Sequence, residues 1–145
     1  MVGLAVRTRE TGAMATLQGQ GQGQEKPLIR SLTGGELTLE NTVSGAGFNA
    51  IDLLYASLSA CLVMSARIAA RKLGLIERIS SYEVKVSGEK TEHEPYRITR
   101  FTVQFLIAGE LFDEERHELA EAAEAMCTVS NTLKANADVA FTVSG

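Results

Sequence analysis

An α+β domain built on a mostly antiparallel sheet is the fold class this chain predicts. Two patterns carry the prediction. Short runs in which apolar and polar residues alternate occur near both ends of the chain and again in its middle, and alternation at a period of two is the signature of half-buried strands. Between them lie two longer segments whose apolar residues recur at spacings of three and four, the signature of helices with one buried face. Size sets the third constraint. With 145 residues, 45% of them apolar, the chain fits one ordinary core, so a single domain over residues 1–145 is expected.

Taken in order, residues 2–9 alternate Val2, Leu4 and Val6 with Gly3, Ala5 and Arg7 and predict a first strand. Met14–Leu17 predicts a second short strand. The Gln-Gly run from Gln18 to Gln24 offers nothing to pack at every second place and reads as a flexible loop. Pro27–Leu32 and Glu36–Glu40 flank Thr33-Gly34-Gly35, which reads as strand, tight turn, strand. A loop rich in turn formers, Asn41–Gly47, leads to Asn49, which by itself or with its neighbours suits a helix cap.

A long helix is predicted from Ala50 to Leu73. Ile51, Leu54, Leu58, Cys61 (or Leu62) and Ser65 share one stripe, Arg71 and Lys72 suit the C-terminal dipole, and Gly74 suits the stop. Ile79–Val86 and Thr99–Ile107 are the strongest strand signals, joined by the polar stretch Gly88–Pro95 as an exposed hairpin tip. A second helix is predicted over Asp113–Cys127, with Leu119, Ala122, Ala123 and Met126 as its buried stripe, and a short helix over Ser130–Lys134. Asp138–Val143 is predicted to close the chain as a strand.

Bulk properties exclude some functions. A net charge of −4 and a pI near 5.2 argue against a nucleic-acid partner, because phosphate contacts need a basic face. No apolar run is read as reaching the roughly 18 residues that a membrane span needs. The N-terminus lacks the long apolar stretch of a signal peptide. The expected compartment is the cytosol, where structural disulfides are rare and paired cysteines are more often catalytic or metal-binding.

Cys61 and Cys127 are the two cysteines, each inside a segment that reads as helix. A thiol in an apolar helix is most often a small hydrophobe, and burial alone raises its pKa and leaves it inert. A reactive Cys61 therefore needs a cation brought from elsewhere, and Arg7, Arg9 and Arg30 are the candidates in the N-terminal strands. With that help a thiolate attacks a peroxide O–O bond and becomes a sulfenic acid, and a second thiol condenses with it to a disulfide. His93 and His117 have no metal-ligand spacing to either cysteine. No phosphate loop, serine nucleophile elbow or paired-carboxylate constellation is present.

Two motifs then stand out. Asn49-Ala-Ile-Asp52-Leu-Leu-Tyr-Ala-Ser-Leu-Ser-Ala-Cys61 resembles the "N-P-x-(E/D)-L-L" helix, ending in a cysteine, of the OsmC/Ohr family of thiol-dependent hydroperoxide reductases. Met126-Cys127-Thr-Val-Ser130-Asn131-Thr-Leu-Lys134 resembles that family's "C-P-x-S-N-x-x-(K/R)". The order of strands and helices agrees, so the resemblance covers essentially the whole chain. It implies an OsmC-like fold in which antiparallel sheets wrap long central helices in an intertwined homodimer. It also implies active sites at the dimer interface, with Cys61 as the peroxidatic thiol and Cys127 as the resolving one. Arg30 is the first choice for the activating guanidinium, Asp52 the acid of the first motif, and Ser130 and Asn131 the residues that orient the Cys127 loop. The substrate would be an organic hydroperoxide and the reductant an external dithiol, with no metal or organic cofactor.

The chain departs from that pattern at Ala50 and Thr128, where proline is usual. It also departs at Ile51, which stands where the hydroperoxidase branches carry a glutamate. Asp52 lies one residue on, about 100° around the helix, and so points elsewhere. That keeps two rivals open: a redox-inactive OsmC-like protein that binds a lipid-like small molecule, and a plain structural subunit with unreactive thiols.

Overall fold

The computed structural model describes residues 11–19 and 25–145. The predicted strand at 2–9, Arg7, Arg9 and most of the Gln-Gly run lie outside the described residues. The chain divides into two compact units, residues 1–53 and 54–145.

In the first unit, β1 (Ala13–Thr16), β2 (Leu28–Ser31) and β3 (Glu36–Thr38) form a three-stranded antiparallel sheet in the order β1-β2-β3. Met14 sits opposite Arg30, and Arg30 opposite Glu36. The β2–β3 turn needs Gly34, whose φ of +99° is reached at no steric cost only without a side chain. Downstream, the Glu40 carboxylate accepts from Lys26 and from the backbone and hydroxyl of Thr42. Those donors, Lys26 first, pull its pKa down to about 2.

Helix α1 (Ala50–Lys72) begins in this unit and continues through the second. Asn49 Oδ1 accepts the Asp52 N–H at 2.8 Å and Asp52 Oδ2 accepts the Asn49 N–H at 3.1 Å, a reciprocal cap on the first turn. At the other end Gly74, at φ +71°, takes the left-handed conformation. The Leu75 N–H then reaches Ala70 O and the Gly74 N–H reaches Arg71 O, which satisfies the last carbonyls.

The second unit is built on a long hairpin, β4 (Ile79–Lys90) and β5 (Ile98–Gly109). Its register pairs Tyr82 with Ile107, Val84 with Phe105 and Val86 with Val103, so one face is apolar. The strands run further than the sequence pattern alone suggests, and Thr91 closes the tip by pairing with Arg97. Helices α2 (Asp113–Met126) and α3 (Thr128–Lys134) follow. Two buried clusters hold the unit together. Ala69 and Ala70 of α1 pack with Ile107 and Leu119, and Leu58 and Leu62 pack with Cys127. Arg116 ties α2 to the end of β5 by donating to the carbonyls of Ile107, Gly109 and Leu111.

Three expectations need correction. Residues 138–143 form no strand; Val139, Phe141 and Val143 are 92%, 85% and 86% exposed. A strand persists only where neighbours pair its N–H and C=O groups, and among the described residues none lies alongside this segment. Second, α2 stops at Met126, and Cys127 is extended (φ −73°, ψ 113°), because it serves as the cap of α3 rather than as a helical residue. Third, α1 has the length and apolar composition of a membrane span, contrary to the reading that no such run exists. Its Leu58–Leu62 and Ala69–Ala70 stripe is instead core of the second unit.

Candidate active site

The corner between α2 and α3 determines where the thiols meet. Cys127 is fully buried, and as cap residue its Sγ accepts the Ser130 N–H at 3.4 Å. Ser130, itself 8% exposed, donates its hydroxyl to Glu124 Oε1 at 2.7 Å, and Lys134 pairs with the same carboxylate. Asn131 closes the corner from the other side, with its N–H on Cys127 O at 2.9 Å and Nδ2 on Ala125 O at 3.1 Å. The polar groups of this turn are thus tied to one another, which fixes the direction of the Cys127 side chain.

That direction is toward α1. Cys61 lies half-buried, packed against the cluster that contains Cys127, and the two thiols influence each other's ionisation. Their electrostatics differ. For Cys61 the largest influence is burial, which pushes the thiol up. Hydrogen bonds from the Cys127 thiol, the Val129 N–H, the Ser65 hydroxyl and the Thr128 N–H pull it down, and together they prevail. For Cys127, burial pushes the thiol up and the neighbouring Cys61 pushes it further, against weaker help from the Ser130 and Val129 N–H groups. One thiol is therefore disposed to ionise and its neighbour to keep its proton.

The remaining residues singled out from the sequence lie in the first unit. Arg30 donates its Nε to Glu36 Oε1 at 2.8 Å, and both side chains are exposed. Asp52 is engaged in the reciprocal cap with Asn49. Sequence reasoning missed Ser65 as a thiol partner and Glu124 as the anchor of Ser130. Ser65 left a signal, because it lies four residues after Cys61 on the same helix face. Glu124 left none, because only the extended Cys127 turns α3 back toward it. Among the described residues no group of three or more His, Cys, Asp or Glu side chains is arranged to hold a metal ion.

Beside the corner is a cavity of about 250 Å³, floored by Leu58, Leu62, Phe101 and Val103 and rimmed by Glu124 and Lys134. A two-stranded hairpin covering a long helix, with a thiol on that helix facing a thiol at a helix–helix corner, defines an α+β protein of paired-thiol type. The family model described as OsmC-like protein matches residues 43–142, and the chain belongs to that family. Similar solved structures include an OsmC-like protein from Mycoplasma pneumoniae (17% identity, TM-score 0.73, covering 88% of this chain and 89% of that one). An organic hydroperoxide resistance protein from Elizabethkingia anophelis is similar at 21% identity and TM-score 0.70, covering 91% of this chain and 93% of that one. The organic hydroperoxide resistance protein OhrB of Bacillus subtilis is similar at 20% identity and TM-score 0.66, covering 88% and 93%. No curated protein matches this chain.

Proposed function

We propose that this chain is a cytosolic, homodimeric, thiol-dependent peroxidase that reduces organic hydroperoxides to alcohols, with residues 1–145 acting as one OsmC-like domain. The observation that carries the reading is the packing of Cys61 against the buried cluster that holds Cys127, where the surroundings shift the two thiols in opposite directions, Cys61 down and Cys127 up. The Cys61 thiolate attacks the outer oxygen of ROOH. An S–O bond forms as the O–O bond breaks, leaving Cys61 as sulfenic acid and an alkoxide that takes up a proton to become ROH. The Cys127 thiol, still protonated and in the same cluster, condenses with the sulfenic acid, releasing water and forming the disulfide. An external dithiol then returns both thiols and is itself oxidised.

Ser130 and Asn131 hold Cys127 toward Cys61 in this scheme. Arg30 is assigned as the guanidinium that favours the thiolate and the departing alkoxide, for which it must leave Glu36, and Asp52 as the acid of the first motif at the head of α1. The apolar floor of the cavity suits the organic part of the hydroperoxide. A second copy is part of the reading, because Met64 and Ile68 on α1 and Val139, Phe141 and Val143 are exposed apolar side chains for it to cover. The hydroperoxide resistance proteins among similar structures support the substrate class.

Turnover of cumene hydroperoxide with a dithiol tests the proposal. Activity that disappears in Cys61→Ser is expected; no activity, or activity unchanged in that variant, contradicts it. The same cavity favours a second reading, a binder of lipid-like molecules, which predicts a retained ligand in native mass spectrometry and no turnover.

A further inference from the structure

We infer that Glu124 is a positioning residue for the resolving thiol: acting through Ser130, it holds Cys127 where it can close a disulfide with Cys61. The peroxidase reading supplies the order of the two thiols, and the hydrogen bonds supply the hold.

Ser130 is the joint. Its backbone N–H donates to Cys127 Sγ at 3.4 Å and its hydroxyl donates to Glu124 Oε1 at 2.7 Å. One residue therefore grips the sulfur with its main chain and the last turn of α2 with its side chain. Lys134, the last residue of α3, donates to the same carboxylate oxygen. The Glu124 carboxylate thus draws both ends of α3 onto α2. Lys134 first, and Ser130 after it, hold its carboxyl below the ordinary value.

The bond belongs to the bend between the two helices. Side chains six residues apart in an unbroken helix point about 120° away from each other. Glu124 and Ser130 meet because Cys127 is extended between α2 and α3. Opening the corner breaks the bond, so the bond resists opening. A thiol sulfur is a weak acceptor, and the Ser130 N–H alone is a light restraint on Cys127. The bond from hydroxyl to carboxylate is charge-assisted, and Ser130 is only 8% exposed, so water competes little for it. Asn131 ties down the backbone of the corner at Cys127 O and Ala125 O; Glu124 and Ser130 reach the sulfur itself.

Disulfide closure requires sulfur to meet sulfur in a narrow geometry, so its rate reads the orientation of Cys127. The attack of Cys61 on a first reagent does not use that orientation. A positioning role for Glu124 therefore falls on the second step and spares the first.

The test treats the reduced full chain with the aromatic disulfide DTNB. The Cys61 thiolate attacks it, forming a mixed disulfide and releasing one thionitrobenzoate. The Cys127 thiol then loses its proton and displaces the second thionitrobenzoate from Cys61, closing the disulfide. Both releases are followed by absorbance, and the second is independent of reagent concentration. Glu124→Ala and Ser130→Ala are each expected to slow the second release on the order of tenfold and to leave the first as in the parent. The double variant should be no slower than either one, because both changes remove the same bond. Glu124→Gln keeps a carbonyl acceptor for the hydroxyl and is expected to recover most of the rate. A second release unmoved in the Ala variants overturns the inference. So do losses that add in the double variant, or a change in both releases together, which marks a loosened fold. DTNB needs no peroxide, so failure of the peroxidase reading shows as absent hydroperoxide turnover with the two releases intact. Failure of the Glu124 role shows as an unmoved second release with turnover preserved.

Discussion

The thiol corner and the N-terminal sheet each carry residues that the sequence marks as chemical, and they use them in opposite ways. At the corner, Cys61 packs against the cluster that holds a second thiol, and neighbouring thiol, hydroxyl and backbone N–H groups pull its pKa down against the cost of burial. In the sheet, the marked cation is already engaged, with Arg30 pairing across the β2–β3 register with Glu36 in the open. A nucleophile is activated by donors that are preorganised toward it. The corner has its donors within one compact unit, whereas Arg30 is already engaged by its own carboxylate partner.

The largest effect that can break this contrast is loss of the nucleophile. Cys61→Ser is expected to abolish turnover, while Cys127→Ser leaves the first oxidation intact and stalls Cys61 as a sulfenic acid that dimedone captures. Equal loss in both variants without dimedone labelling would assign the thiols no order. Next is the packing that brings the thiols together. Leu62 is fully buried beside Cys127, so Leu62→Ala is expected to cost about 2–5 kcal/mol in urea unfolding.

Arg30 sharpens the other side. Under the proposed role of Arg30 as the activating guanidinium, Arg30→Ala is expected to slow turnover on the order of 10²-fold. Stability should barely change, because an exposed ion pair is worth roughly 0–1 kcal/mol. Unchanged turnover would leave activation to the corner alone.

How much of this was legible follows the same division. Helix α1 was readable because its cap, apolar stripe and Gly74 stop are all local in sequence. The β4–β5 hairpin was readable because its alternation is long and regular. The two motif cysteines and the Ser130-Asn131 pair were visible as spacing, and the corner they build was not. Whether Cys127 belonged to α2 depended on its sulfur capping α3, a choice between two local structures that propensity does not decide. The Glu124–Ser130 bond exists only once that choice is made. Asp138–Val143 has the alternation of a strand, but alternation does not supply a neighbour.

The smallest expected effect lies in the sheet unit. Glu40 is held at about pKa 2, chiefly by Lys26. Its folded value lies below the ordinary carboxylate value, so its contribution is present above pH 4.5 and is lost as pH falls from there toward 2. Lys26→Met is expected to flatten the acid limb of the thermal-melting profile slightly, and an unchanged limb would assign Glu40 no such role.

The measurement that bears most directly on the central claim is a non-reducing peptide map after one equivalent of an organic hydroperoxide. The account predicts a Cys61–Cys127 disulfide within a single chain, formed with one equivalent of alcohol and reversed by a dithiol. Two free thiols after exposure, or Cys61 over-oxidised with Cys127 untouched, would contradict it.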